Sequence, residues 1–519
     1  MTLICKRLFD HRQSYLHFND NNNDIDNDNN MPLYNDYDIN KVTLNSYKKI
    51  INNDFNNGPK TILIYTDEHY DVTSLPCDHR FFMSSDDDYL WKQEVLAMPF
   101  IKSISFNDCP DRPMDKKFWD NIVDLLQSLL IREPSPEIHF YQMANGPLPI
   151  RHVPITSLSL NDNDLDEVMV DTDMFPETLT NLNLYKEQLV TGNIDLTYLQ
   201  SLKSLYFKWK QYNNDQALLL DRTVLPPSLT ELRLDTELPS LKLDLPPSVT
   251  ELYLYGDSEY HFGDSDDDIC DLPFRRLCLH PDFNSHSSVM NAPGTRFPHL
   301  HKLVLLSFDD SVLSHITSNR FPVLEYLKLG LQSQESDDEQ TALDLSSLPS
   351  SIKSLEITPR RSISLLPAGI ECLNLKSVEV FQMLSTIDWH SPSPSLIKTL
   401  TLDSYGHELK VGDIPSSVTS LRLINFIQPL SNVLLALPGI RKLLWYSGLK
   451  SHVIELLQQL PTTIQQLKLM MYNEAYDEQK FNLRRISPTT FIRIDDQLVR
   501  SGFIDLESFQ SLIERTVTD

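Results

Sequence analysis

At 519 residues the chain has room for several ordinary domains or for one long array. Apolar residues make up 41% of it and the formal charge is −27, so it can bury a real core but repels phosphate backbones, which argues against nucleic acid as a partner. Six cysteines are scattered along it with no C-x-x-C pair; this excludes a disulfide scaffold and fits reduced thiols in the cytosol or nucleus.

The opening MTLICKRLFDHRQSYLHF (1–18) lacks a continuous apolar segment and a small-residue cleavage site. No run of about 18 apolar residues occurs anywhere, so the expectation is a soluble, intracellular protein with no membrane span. Residues 19–30 read NDNNNDIDNDNN, which cannot bury apolar surface, and 19–58 reads as mostly disordered. Asp24, Asp26 and Asp28 match the first ligands of a calcium loop, but Asn29 and Asn35 stand where the turn glycine and the bidentate glutamate belong. The match is read as chance within a biased tract.

PKTILIYTD (59–67) predicts a strand, and DKKFWDNIVDLLQSLLI (115–131) predicts a helix. Phe118, Ile122, Leu125, Leu126 and Leu129 form its apolar stripe, which is expected to pack on the start of the fold. Beyond it the chain repeats itself. The decamer LPPSLTELRL (225–234) returns as LPPSVTELYL (245–254), and further copies are FPETLTNLNL (175–184), LPSSIKSLEI (348–357), IPSSVTSLRL (414–423) and LPTTIQQLKL (460–469). With looser copies included, the first Leu of an L-x-L falls at 158, 182, 205, 232, 252, 277, 303, 327, 355, 373, 400, 421, 443 and 467, a mean spacing close to 24 residues. MPFIKSISF (98–106) resembles an outlying earlier copy.

That period is too short for two-helix repeats and lies in the leucine-rich-repeat range. Each L-x-L alternates with period two, so it predicts a short strand with both leucines turned inward. The preceding proline lacks an N–H for a ladder and predicts a turn. The expected fold is an α/β or mainly β solenoid, a leucine-rich-repeat-like array with a parallel sheet on one face and irregular or short helical arcs on the other. Its expected parts are an N-terminal segment 1–58, a strand-and-helix cap region 59–133, about fourteen solenoid units over 134–486, and a C-terminal cap 487–519 with a short helix near DLESFQSLIER (505–515).

The unit L-P-x-S-L-T-x-L-x-L resembles the FNIP repeats of social amoebae, a leucine-rich-repeat-like family. The likeness covers roughly 150–470; the Asn/Asp-rich tract suits such genomes, and FIRIDDQ (491–497) is similar to the ends of some members. The F-N-x-P-I segment that names the family survives here as FIQPL (426–430), so the array is divergent. The resemblance implies a binding scaffold and brings no catalytic residues.

Signals of catalysis are missing. The 13 glycines include no G-x-G pair, so there is neither a dinucleotide fingerprint nor a P-loop. Metalloprotease, nucleophile-elbow and kinase signatures are absent too. Neither an enzyme nor a cofactor is expected. Cys278, His280, His299 and His301 have the ligand types for zinc, yet His299 adjoins the turn proline Pro298, and surface histidines are the reading adopted. The acidic runs SSDDD (84–88), DSDDD (264–268) and ESDDE (335–339) read as solvated loops; Ser265 and Ser336, each followed by acids, are candidate phosphorylation sites for an acidophilic kinase.

Residues before, between and after the paired leucines point away from the core. Along the array they concentrate Lys208, Arg233, Arg276, Lys302 and Lys328 beside Tyr206, Tyr253, Tyr255 and Tyr326. Tyr and Arg desolvate large areas while keeping donors, so this face is the candidate binding surface for a protein partner with an acidic or extended segment. Pairing across neighbouring strands, for example Arg233 with Glu251, is the competing expectation. The function expected is therefore a non-enzymatic protein–protein interaction scaffold. A substrate-recognition subunit of a ubiquitin ligase, docking an adaptor through 1–20 or 115–131, is the alternative, and a hydrolase with loop-borne residues the lower one.

Overall fold

The computed structural model describes the elements and joining turns between residues 60 and 516. Outside the description lie 1–59, the loops 66–78, 83–89, 108–115, 142–149, 162–173, 186–194, 210–219, 263–272, 282–294, 332–341, 377–383, 390–395, 473–477 and 495–501, some shorter joints and 517–519. Ser265, Ser336 and the Asn/Asp tract are among them.

Each predicted L-x-L is a strand. The fourteen run from Ser157–Asn161 to Gln466–Tyr472 and pair in parallel with their neighbours. The pairing sets leucine against leucine: 158, 182, 205, 232, 252, 277, 303, 327, 355, 373, 400, 421, 443 and 467 form one unbroken row, each at most 1% exposed. Ile62, Ile104 and Ile138, on the strands Lys60–Tyr65, Ile101–Asn107 and Glu137–Tyr141, extend the row upstream. Fully burying each such side chain contributes roughly 1.5–3 kcal/mol. The structure is thus mostly β, a solenoid of stacked coils.

The rest of the motif explains itself in hydrogen bonds. Six coils close a turn in which the N–H of the apolar residue three places on donates to the proline carbonyl, as Leu229 does to Pro226 at 3.1 Å. Proline needs no partner for an N–H and has φ preset for the turn. Past the turn, two successive N–H groups fork onto one carbonyl of the preceding coil: Thr230 and Glu231 both donate to Lys203, at 2.8 and 2.9 Å. Thirteen such forks join the fourteen coils, one between every adjacent pair. The motif threonine adds a third donor at Thr180, Thr230 and Thr419, with Thr230 Oγ1 at 3.0 Å from the same oxygen. At two of these turns the motif hydroxyl ties the turn to the coil before, Ser228 Oγ donating to the Leu202 carbonyl at 2.8 Å and Thr178 Oγ1 to the Ile155 carbonyl at 2.7 Å; the buried hydroxyls of Ser248, Ser351, Ser417 and Thr463 make no hydrogen bond among the described residues.

Behind the core, the far side of each coil varies. It carries a small parallel sheet of Leu220–Asp221, Ser240–Asp244 and Glu259–Phe262, a 3-10 turn at Asp310–His315, and the helices Ser431–Leu435 and Lys450–Gln458. Gly256 ends the strand Glu251–Gly256 with φ at +87°, and a Cβ there would strike the Thr236 carbonyl. Only glycine fits that position.

Both ends depart from the repeat. Upstream, Lys60–Tyr65 lies between His79–Phe82 and Ile101–Asn107, all parallel. The helix Lys116–Leu130 buries Ile122, Leu125, Leu126 and Leu129 at no more than 1% exposure, so these four residues of the expected stripe pack inside the fold; the Phe118 side chain lies outside the described residues. Downstream the parallel run stops at Tyr472. The strand Glu478–Arg485 turns back antiparallel, followed by Thr490–Ile494 and Gly502–Asp505. The helix Leu506–Thr516 then buries Phe509 and Ile513, Phe509 meeting Phe481 edge-on at 5.3 Å. The last leucine row is covered, as a solenoid end requires.

Two substitutions test this scheme by chemical denaturation of the full chain. Leu327→Ala, in mid-row, is expected to destabilise by about 2–5 kcal/mol. Gly256→Ala, which removes no contact, is expected to destabilise by at least about 1–3 kcal/mol, through backbone strain at positive φ and the clash of its Cβ with the Thr236 carbonyl. A Gly256→Ala chain as stable as the parent would refute the close approach to Thr236.

Candidate functional site

Because the leucine row is fixed, the outward positions form three rows of their own. The middle one runs Ser159, Asn183, Tyr206, Arg233, Tyr253, Cys278, Val304, Lys328, Glu356, Asn374, Thr401, Arg422, Leu444 and Lys468. The nine residues expected to bind a partner all sit on this face, Tyr206 to Lys328. They are not a simple exposed patch. Neighbouring strands lie about 4.8 Å apart, so long side chains in register cover shorter ones.

Tyr253 shows this most clearly. It points away from the core as expected, yet is 1% exposed, and with Cys278 and Val304 it forms a small apolar cluster flanked by Tyr255, Leu306 and Tyr326. The guanidinium of Arg233 stands 4.4 Å from its ring centre and that of Arg276 5.5 Å. Its hydroxyl donates to Glu251 Oε2 at 3.3 Å. Burial pushes the phenol well above its ordinary titration range, so it stays a donor.

The cations of this face are matched within the chain. Arg233 Nε donates to Glu231 Oε1 at 2.7 Å, two residues back on its own strand, and not to Glu251 as expected; Glu251 instead faces Arg276 at 3.5 Å. Parallel pairing sets Arg233 level with Tyr253, and the carboxylate two positions earlier on its own strand lies within reach of its long side chain. Burial opposes the Arg233 charge, but Glu231 outweighs it and the guanidinium is held above its usual range. Asp235 receives Lys208 at 3.5 Å and the Tyr206 hydroxyl at 3.3 Å. Lys302 Nζ lies 4.7 Å from the Tyr326 ring centre.

Glu356 anchors the downstream end, and the sequence reading passed over it. It accepts the Tyr326 hydroxyl at 3.1 Å and pairs with Lys328 at 3.4 Å and Lys376 at 2.8 Å. The signal was present: Glu356 is the x of Leu355-Glu356-Ile357, hence outward by period two. Burial alone would raise its carboxyl; Lys328, Lys376 and the Tyr326 hydroxyl outweigh it and hold the group below the usual range.

The cysteine and histidines do not assemble. Cys278 is fully buried under its neighbours, His280 tilts against Tyr255 at 5.9 Å, and the exposed His301 has Nδ1 2.7 Å from the His299 carbonyl. Among the described residues no group of three or more His, Cys, Asp or Glu side chains is disposed to hold a metal. Among them too, no helix is long and apolar enough to cross a membrane. No model of a known protein family matches the chain, and no curated protein does either.

Since the folded-state titration of Glu356 is depressed, its stabilising charge is present above the ordinary glutamate range and lost as pH falls through the depressed value. Glu356→Gln is therefore expected to destabilise by about 1–3 kcal/mol at neutral pH. The gap from the parent should shrink as pH is lowered through and below the normal carboxylate range. Denaturation midpoints measured across pH check this, and a gap independent of pH would rule out the charge as the cause.

Proposed function

We propose that the protein is a non-enzymatic scaffold that binds another protein along the outward face of its sheet, working inside the cell. The carrying observation is the ladder from Tyr206 to Lys328. Four tyrosines and five cations engage one another and nearby carboxylates through ion pairs, cation–ring contacts and a local apolar cluster. Such side chains give up little conformational freedom on binding, and Tyr and Arg contribute most at interface centres. The intramolecular carboxylates do not argue against this reading: they orient the cations, and the Arg233 and Lys208 side chains remain 38% and 29% exposed.

The wider assignment, a divergent member of the leucine-rich-repeat-like FNIP class, rests on the motif. Its proline and paired leucines each have the structural task described above. Cys278 and Cys372 are free thiols, in accord with a reducing compartment.

The reading is tested by affinity purification of the tagged full chain from its source cells, set beside the double variant Lys208→Glu/Lys302→Glu. The variant changes two cations at the margins of the ladder and leaves the buried Tyr253 in place. The expectation is loss of a defined protein set by about tenfold or more, a difference of about 1.4 kcal/mol. Identical sets from both chains would remove this face as the binding surface.

A further inference from the structure

The hairpin that joins Glu478–Arg485 to Thr490–Ile494 carries the sequence Arg485-Ile486-Ser487-Pro488-Thr489. Three hydrogen bonds close its tip. The N–H groups of Ile486 and Ser487 donate to the Thr490 carbonyl at 2.9 and 3.1 Å, and the Thr490 N–H donates to Ser487 Oγ at 3.1 Å. Ile486, Pro488 and Thr489 are exposed and Ser487 is half-buried. Opening such a tip costs little beside opening the core strands, and it presents Ser487 as extended chain.

Arg485 stands at the foot of this tip. Its Nε donates to the Ile464 carbonyl at 2.7 Å and its Nη2 to the Pro461 carbonyl at 3.1 Å, both on the last Leu-Pro turn of the array. Its Nη1, on the exposed side, donates to the Pro488 carbonyl. The guanidinium also lies 4.6 Å from the ring centre of Phe491, its partner in register. One side chain thus ties the tip of the hairpin to the last coil. Among the described residues it meets carbonyl dipoles and a ring but no carboxylate, and burial works against its charge. This is a cation with an anion's place left beside it, and the nearest hydroxyl along the chain is that of Ser487.

We propose that Ser487 is a phosphorylation site for a protein kinase that reads Ser-Pro, and that its phosphate binds Arg485 and tightens the closing hairpin onto the last coil. The Ser487 hydroxyl oxygen attacks the γ-phosphorus of ATP, the bond to the β–γ bridging oxygen breaks, ADP leaves, and the hydroxyl proton passes to the base of the kinase. Pro488 has no N–H and a preset φ, so the enzyme is one whose groove asks for no hydrogen bond at that position. Residues 488–492 contain no acid, which leaves an acidophilic kinase nothing to read. The ester carries about −1.5 to −2 charges at pH 7 and three strong acceptor oxygens. Nη1 exchanges the Pro488 carbonyl for a charge-assisted bond about twice as strong, while Nε and Nη2 keep their hold on the last coil. The helix Leu506–Thr516 begins beside the tip, its first N–H donating to the Thr489 carbonyl at 3.0 Å, and its N-terminal field favours the phosphate. Asp505, level with Thr490, opposes it, but that carboxylate is turned to Ser508, accepting the N–H at 2.7 Å and the hydroxyl at 3.1 Å.

The test incubates the full chain with ATP and a proline-directed kinase, maps the product by peptide mass spectrometry, and compares amide hydrogen exchange over 478–494 before and after. Phosphate is expected at Ser487, with exchange in the hairpin slowed by about fivefold or more. Ser487→Ala should show neither change in that hairpin. Arg485→Met keeps an apolar stem over Phe491; it should still accept the phosphate and show no slowing. If that variant misfolds, Arg485→Lys, which keeps the charge and loses the fork, should retain less than about half of the slowing. A folded chain left unmodified at Ser487 would overturn the site, whether or not a free peptide of 482–493 is modified. Exchange that is unchanged or faster after phosphorylation would overturn the tightening, as would equal slowing in the Arg485→Met chain. Phosphopeptides from the source cells should include Ser487, and its constant absence there would count against the proposal as firmly.

Discussion

Everything in this protein depends on leucine lying over leucine from one coil to the next. A strand that slipped by one residue would turn its pair of leucines outward and its polar residues into the core. The forked hydrogen bonds at the start of each strand oppose that slip, because two N–H groups must meet one carbonyl of the coil before. Core burial supplies the driving force, and the forks supply the alignment. With both in place, the order of residues on the outward face is decided before any outward side chain makes a contact.

That outward order sets which side chains meet on the surface. Through the middle of the array each guanidinium or ammonium has a carboxylate or ring as neighbour, and Glu356 gathers two lysines and a tyrosine. Toward the closing strands the Arg422 guanidinium stands over the Tyr446 ring. A partner approaching the middle of this face competes with contacts already made, so it must complement the whole ladder and not a single charge.

The array was legible because its signals are redundant. Proline, serine and two leucines recur together, and the proline closes the turn while the leucines build the core. The less regular parts left weaker traces. Glu137–Tyr141 builds its row with Ile138 and Phe140 and has no L-P turn before it. FNLRR in Glu478–Arg485 reads like another coil, and only the tertiary pairing reveals its reversal. On the candidate face, period two placed Tyr253 on the correct side but carried no information on cover, which comes from the lengths of Arg233 and Arg276 on adjoining strands. The Arg233–Glu231 pair escaped for a similar reason, since its partner was sought across the sheet and lay along the strand.

The forks have a mechanical meaning as well. They join each coil to its immediate neighbour, so load applied along the stack is borne in series and each junction must fail on its own. A released coil of about 24 residues pays out about 80 Å of slack at full extension. Under tension the array would behave as a reel that yields length one coil at a time, leaving the rows on every coil still seated undisturbed.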